Sequence, residues 1–187
     1  MNKRCILQIA LLLCFSTPTL SISYNLLRLQ QSNSSLKCQK LLMQLNGRPE
    51  DCLEDRMNFK IPEEIKHPQQ FQKEYAAFVI HEMLQDIFAI FTRDFSNPGW
   101  NETIVKDLLA ELHQQMDLLE TTLEEKLGEE SISWANSTTT LRLKSYYWRI
   151  LRYLKAKEYS NCAWTVVQSE LFRNFSFINR LTDDFQS

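Results

Sequence analysis

Glycine is scarce in this chain. There are three glycines among 187 residues, at positions 47, 99 and 128. That leaves little material for a phosphate-cradling or dinucleotide-binding loop, and no G-x-S-x-G element is present. Histidine is equally sparse. His67, His81 and His113 stand far apart with no H-x-x-x-H pair, and no Cys-x-x-Cys occurs, so no metal or cofactor is expected. Charge of one sign is not in excess, with 21 Lys and Arg against 23 Asp and Glu. Nothing in that balance favours nucleic acid or an acidic membrane. After residue 21 no apolar run approaches the ~20 residues of a membrane span, so no membrane insertion is expected. The carboxylate pairs Glu124-Glu125 and Glu129-Glu130 sit at a helix end, where they are solvated. No catalytic constellation emerges, and the chain does not read as an enzyme.

The first residues are different in kind. Lys3 and Arg4 precede an apolar stretch from Ile6 to Phe15, and Thr19-Leu20-Ser21 offers small residues for a cleavage site. This predicts a signal peptide over 1–21 and a secreted domain over 22–187. Removing Lys3 and Arg4 leaves a side-chain charge of −4 on a chain of 166 residues, enough for one domain with a sizeable core.

Of five cysteines, Cys5 and Cys14 leave with the signal. Cys38, Cys52 and Cys162 remain in an oxidising compartment, which permits three single pairings and one leftover thiol. Cys38 lies inside a helical pattern, whereas Cys52 and Cys162 fall in expected loops. The expected bond is therefore Cys52 to Cys162, with Cys38 a buried free thiol.

All three glycines, and Pro49, Pro62, Pro68 and Pro98, lie in breaks between periodic stretches. Helix breakers confined to boundaries predict an all-α chain. Five helices follow. The first, α1, spans about 25–45, with Leu27, Cys38, Leu41 and Leu45 on one face. Its middle, Ser32-Asn33-Ser34-Ser35, is poor helix material and a place for a kink. A connection of about 25 residues, 46–70, leads to α2 at about 71–92. Helix α3 spans about 100–127, where Ile104, Val105, Leu108, Leu112, Met116 and Leu119 fall within an arc of about 140°. Gly128 is its expected cap. Helix α4 spans about 139–157, with Leu143, Tyr147, Ile150 and Leu154 on its apolar face. Arg142, Lys144, Arg149, Arg152 and Lys155 cover its other side, either solvated or facing an acidic partner. Helix α5 spans about 163–185, where Trp164, Val167, Leu171, Phe175, Ile178, Leu181 and Phe185 cluster within about 120°. The long first connection permits α1 and α2 to run parallel, but periodicity alone leaves the topology open.

Several segments together carry a resemblance. Cys162-Ala163-Trp164-Thr165-Val166-Val167 opens α5, and Leu154-Lys155-Ala156-Lys157-Glu158-Tyr159-Ser160 precedes it. Arg56-Met57-Asn58-Phe59 and Ile61-Pro62-Glu63-Glu64-Ile65 lie in the first connection. Trp100-Asn101-Glu102-Thr103-Ile104-Val105 opens α3. The chain resembles the type I interferons. Its three mature cysteines resemble the beta branch of that family rather than the alpha branch, which typically has four. The resemblance supports the Cys52–Cys162 pairing. It implies a five-helix long-chain cytokine bundle, up-up-down-down, with a long crossover loop between the first two helices. It also implies a secreted antiviral cytokine that bridges two different receptor chains, brings their Janus kinases together and starts interferon-stimulated transcription. A monomer is expected. The alternatives are another long-chain helical cytokine or hormone, and an amphipathic-helix lipid carrier.

The resemblance also implies two faces. A high-affinity receptor face takes Leu53 and Arg56 from the first connection and Gln168, Ser169, Phe172 and Arg173 from α5. Gln168 departs from the family, where a basic residue is usual. The helical wheel puts those four α5 positions outside the core arc. A second receptor face takes His81, Gln85 and Phe88 from α2, Ile104 and His113 from α3, and Lys144 from α4. On the wheel, Phe78, His81, Gln85 and Phe88 form a strip apart from the main apolar stripe of α2. That strip is either a contact surface or a sign that α2 is central. Four N-glycosylation sequons begin at Asn33, Asn101, Asn136 and Asn174. Asn174 falls inside the core arc of α5 and is expected to be unmodified. Asn101 and Asn136 are expected to be accessible.

Overall fold

The computed structural model describes residues 24–67, 71–93, 99–127 and 130–186. The expected signal peptide and its cleavage point, Pro68, Pro98 and Gly128 lie outside the described residues.

The five long helices are α1 Tyr24–Gln44, α2 Lys73–Arg93, α3 Glu102–Leu127, α4 Thr138–Ala156 and α5 Asn161–Asp183. Serine starts the last two. The Ser137 hydroxyl accepts from the Thr140 amide at 3.2 Å, and the Ser160 hydroxyl from the Ala163 amide at 3.2 Å. Each bond satisfies a donor that the first helical turn leaves open. Asn101 plays the same part before α3, its Oδ1 accepting from the Thr103 amide at 2.9 Å. Short helical pieces, Pro49–Asp55, Glu63–Lys66, Glu130–Ala135 and Asp184–Gln186, occupy the connections and the C-terminus. No strand occurs among the described residues.

Residue pairs fix the helix directions. Arg28 meets Asp183 at one end of α1, and Gln168 meets Leu42 at the other, so α1 and α5 are antiparallel. Gln31 bonds to Gln115 and Lys37 to Glu111, so α3 is also antiparallel to α1. Phe91 lies beside Trp100 while Phe88 lies beside His113, so α2 is antiparallel to α3 and parallel to α1. In the order α1, α2, α3, α5 the bundle is up-up-down-down. Helix α4 runs parallel to α2, since Tyr75 meets Ser137 and Glu82 meets Lys144. This resolves the shortness of the α3–α4 link. It need only turn the chain around, because α4 itself carries the chain back and makes the second crossover.

The core is assembled from the expected faces. All seven apolar positions of the α5 arc are buried, as are Leu143, Tyr147, Ile150 and Leu154 of α4. One end is closed by Phe91, Trp100 and Trp164, with the two tryptophan rings 5.2 Å apart. Helix α1 departs from expectation, because it continues unbroken through Ser32–Ser35. Gln31, Ser35 and Cys38 are buried against Glu111 and Gln115 of α3, forming a polar seam. Gln31 Nε2 donates to Gln115 Oε1 at 2.5 Å, and Gln115 Nε2 to Cys38 Sγ at 3.3 Å. Packing across that seam overrides the weak local propensity.

The described part of the first connection is held down against the bundle. Phe59, Ile61 and Ile65 are buried. Arg149 of α4 donates to the carbonyls of Phe59 and Lys60, each at 3.0 Å, and the Tyr153 hydroxyl donates to the carbonyl of Asp55 at 2.7 Å. The loop is therefore a fixed surface rather than a free tether.

Candidate functional site

The expected high-affinity face is built by joining two elements distant in sequence. A disulfide links Cys52 to Cys162 across 110 positions, with Cα atoms 5.2 Å apart. It fastens the turn Pro49–Asp55 to the start of α5. Leu53 and Arg56 are exposed on the loop side, and Ser169, Phe172 and Arg173 on the helix side. Arg56, Met57, Ser169, Glu170 and Arg173 line a groove of about 340 Å³. A neighbouring hollow of about 450 Å³ lies among Leu42, Met43, Gly47, Gln168 and Phe172. Met43 is 64% exposed and Met57 48%. These two methionines add apolar surface that the sequence reading does not single out. Their signal is an apolar residue off the core stripe of α1 and one beside Arg56.

Gln168 is set apart from its neighbours. It is half-buried, and its Nε2 donates to the carbonyls of Leu42 at 2.6 Å and Leu45 at 3.2 Å. These carbonyls at the end of α1 also accept from the Leu45 and Gly47 amides, so Gln168 adds a second donor to each. A Cβ at Gly47 would collide with Gln168 Oε1 and lie 2.9 Å from Thr165 Oγ1, so glycine permits the close approach of loop and helix here. Arg173 is tethered differently. Its guanidinium lies 3.4 Å from Glu170, whose second carboxylate oxygen accepts from the buried Tyr146 hydroxyl at 2.7 Å. Asn174 Nδ2 in turn donates to Tyr146 Oη at 2.7 Å, and the Tyr147 hydroxyl donates to Asn174 Oδ1 at 2.6 Å. A continuous polar chain thus runs from the α4–α5 interface out to Arg173. Burial holds both tyrosine hydroxyls well above their ordinary pKa. Asn174 is fully buried.

The positions of the second face are less uniform. Gln85, His113 and Lys144 are exposed, while Phe88 and Ile104 are half-buried. Phe88 and His113 face each other at 6.5 Å across α2 and α3, and Lys144 pairs with Glu82 at 3.2 Å across α4 and α2. His81 is buried, at 9% exposure. Burial lowers its pKa against the pull of Glu120 and Glu82, so it offers least to a partner. Beside this face stands Asp86, which the sequence reading does not single out. Burial, reinforced by Glu82, pushes its carboxyl up to about 7 against Lys144 and Arg93. On α4, Leu141 and Trp148 are each 56% exposed, and the Arg152 guanidinium lies 5.1 Å from the Trp148 ring centroid.

Cys38 is a free, buried thiol whose pKa is pushed up to about 12, first by burial and then by Glu111. Asn33, Asn101 and Asn136 are exposed. Among the described residues, no group of His, Cys, Asp and Glu side chains is gathered to hold a metal ion. No described helix is long and apolar enough to cross a membrane.

The family described as interferon alpha/beta domain matches residues 27–185. The chain is 64% identical to interferon beta of Macaca fascicularis and of Homo sapiens, in each case over 182 residues covering 97% of both chains. It is 62% identical to interferon beta of Equus caballus over 187 residues and the whole of both chains.

Proposed function

The chain belongs to the interferon alpha/beta family, and from that premise we propose how it acts. It is a type I interferon, a cytokine and not an enzyme, similar to interferon beta. The proposal concerns its partners. The protein is secreted and bridges two different receptor chains on the cell surface as a monomer. Bridging brings receptor-associated Janus kinases together and starts interferon-stimulated, antiviral transcription.

The observation that carries this reading is the disulfide-fastened junction of loop and α5. It presents Leu53, Arg56, Ser169, Phe172 and Arg173 together, around grooves of a size to seat side chains. Aromatic and arginine anchors within apolar surroundings are the usual source of interface energy. Arg56 and Arg173 supply planar donors for receptor carboxylates. Gln85, Phe88, Ile104, His113 and Lys144 form the second contact, with Phe88 and His113 as its centre and His81 beneath it. A surface of this kind recruits one receptor chain tightly and the other weakly. Asn101 and Asn136 carry glycans and Asn174 does not. The cap bond of Asn101 uses Oδ1, whereas glycosylation modifies Nδ2.

The test applies the purified protein to reporter cells with both receptor chains, and to cells lacking each in turn. An interferon-responsive reporter should fire only when both chains are present. A response that survives loss of either chain would overturn the bridging reading.

A further inference from the structure

Helix α1 has an outer face as well as an inner one. Leu26, Leu29 and Leu36 are 51%, 56% and 47% exposed, and Met43 extends their line toward the first face. At 100° per residue these four, with Asn33 and Lys40, share an arc of about 100°. The opposite side of α1 packs on α3, α5 and the C-terminal turn. An exposed row of large apolar side chains, even one interrupted by Asn33 and Lys40, is a route to self-association unless something covers it.

Asn33 stands at the centre of that stripe. It is four residues after Leu29 and three before Leu36, the spacings at which helical side chains adjoin. It is exposed and opens the sequence Asn33-Ser34-Ser35. Ser35 points the other way, fully buried with no partner for its hydroxyl. We propose that Asn33 carries an N-linked glycan lying over Leu29 and Leu36, which keeps the protein monomeric. The inference rests on the secretory reading.

The donor is an oligosaccharide on a lipid pyrophosphate. Asn33 Nδ2 forms a bond to the sugar C1 and gives up one proton. The C1–oxygen bond breaks, and its electron pair leaves with the lipid pyrophosphate. The transfer takes place on the extending chain, so burial of Ser35 in the folded helix is no obstacle. The polar run Ser32–Ser35, costly for helix propensity, is on this view kept because it is the acceptor site.

The experiment uses the full chain secreted from mammalian cells. Glycopeptide mass spectrometry should find Asn33 occupied. Asn33→Gln and, separately, Ser35→Ala should each lose that glycan. Ser35→Ala leaves the stripe and Asn33 in place and removes only a buried, unpartnered hydroxyl. By sedimentation velocity both variants should shift toward about twice the parent mass at matched concentration. Adding Leu29→Ser and Leu36→Ser should return them to monomer. An unoccupied Asn33 beside an occupied Asn101 would overturn the proposal and leave the secretory reading standing. No glycan at any sequon would overturn both. Variants that stay monomeric, with Leu29→Ser and Leu36→Ser instead weakening receptor binding, would assign the stripe to the receptor and overturn the proposal too.

Discussion

Gln168 of α5 holds the end of α1, its Nε2 lying 2.6 Å from the Leu42 carbonyl and 3.2 Å from that of Leu45. Seen only as a surface residue, Gln168 leaves the proposed high-affinity face one charge short of the pattern that the family resemblance implies. In the fold it serves as a latch. It fixes the point where the chain leaves α1 and enters the loop that carries Leu53 and Arg56.

That role separates Gln168 from Arg173. Gln168→Ala should cost stability, about 0.5–1.5 kcal/mol for the hydrogen bonds lost from two carbonyls that keep their backbone donors. It should weaken high-affinity receptor binding only modestly. Arg173→Ala should weaken binding by about tenfold or more, with its cost to stability confined to the lost pairing with Glu170. Surface plasmon resonance alongside urea denaturation would check both. The reverse order in binding would remove Arg173 from its assigned role.

Asn174 should be the most costly of the four sequon asparagines to replace. Its amide joins the Tyr146 and Tyr147 hydroxyls, and Tyr146 passes the chain on to Glu170. Asn174→Ala leaves these buried groups partly unsatisfied and should destabilise the fold by about 2–4 kcal/mol. Replacing Asn136, an exposed residue, should change stability by less than about 0.5 kcal/mol. Denaturant midpoints compare the two directly, and equal effects would refute the network's importance.

Much of this was legible before the fold was known. The α5 periodicity identifies its buried residues because one helix face meets the core and the others do not. Direction was not legible, because a hydrophobic period carries no information about which way a helix runs. Nor was the covering of one strip by a neighbour. The wheel sets His81 apart from the main stripe of α2, yet α2 is packed between α3, α4 and α5 and buries it. Local propensity misjudged Ser32–Ser35 because the compensating contacts come from Glu111 and Gln115, some eighty residues away. The two halves of the first face are distant in sequence, and it was the cysteines, 110 positions apart, that joined them.

Asp86 should make stability depend on pH near neutrality. Its carboxyl titrates at about 7 in the fold, against an ordinary value of 3.8. Between these values the folded chain binds more protons than the unfolded one, so stability falls as pH rises from about 4 through 7 and then levels. Glu82 and Arg93 on α2, with Lys144 on α4, set the local charge. Asp86→Asn should stabilise by on the order of 1–2 kcal/mol at pH 8, allowing for solvent screening, and by little at pH 5. Urea midpoints at the two pH values test this. An equal gain at both would mean that the charge is not the cause.

The Cys52–Cys162 bond should matter to binding beyond its effect on stability. Replacing both cysteines by serine removes a cross-link closing a loop of 110 positions, worth roughly 4–5 kcal/mol in the chain-entropy model. The loop keeps its anchors to α4 through Arg149 and Tyr153, so the bundle should persist at low temperature. What is lost is the register between Leu53 and Arg56 on one side and Phe172 and Arg173 on the other. High-affinity receptor binding should therefore fall by more than tenfold under conditions where circular dichroism still reports a folded helical bundle. The face proposed for the second receptor chain draws on neither element, so its affinity should stay within about twofold of the parent's. Cys38 gives an internal control for folding. Its thiol, neutral and buried, should resist alkylation at pH 8 in the variant until denaturant is added. Equal losses for both receptor chains, or ready labelling of Cys38, would mean that the disulfide supports the whole bundle rather than one face of it.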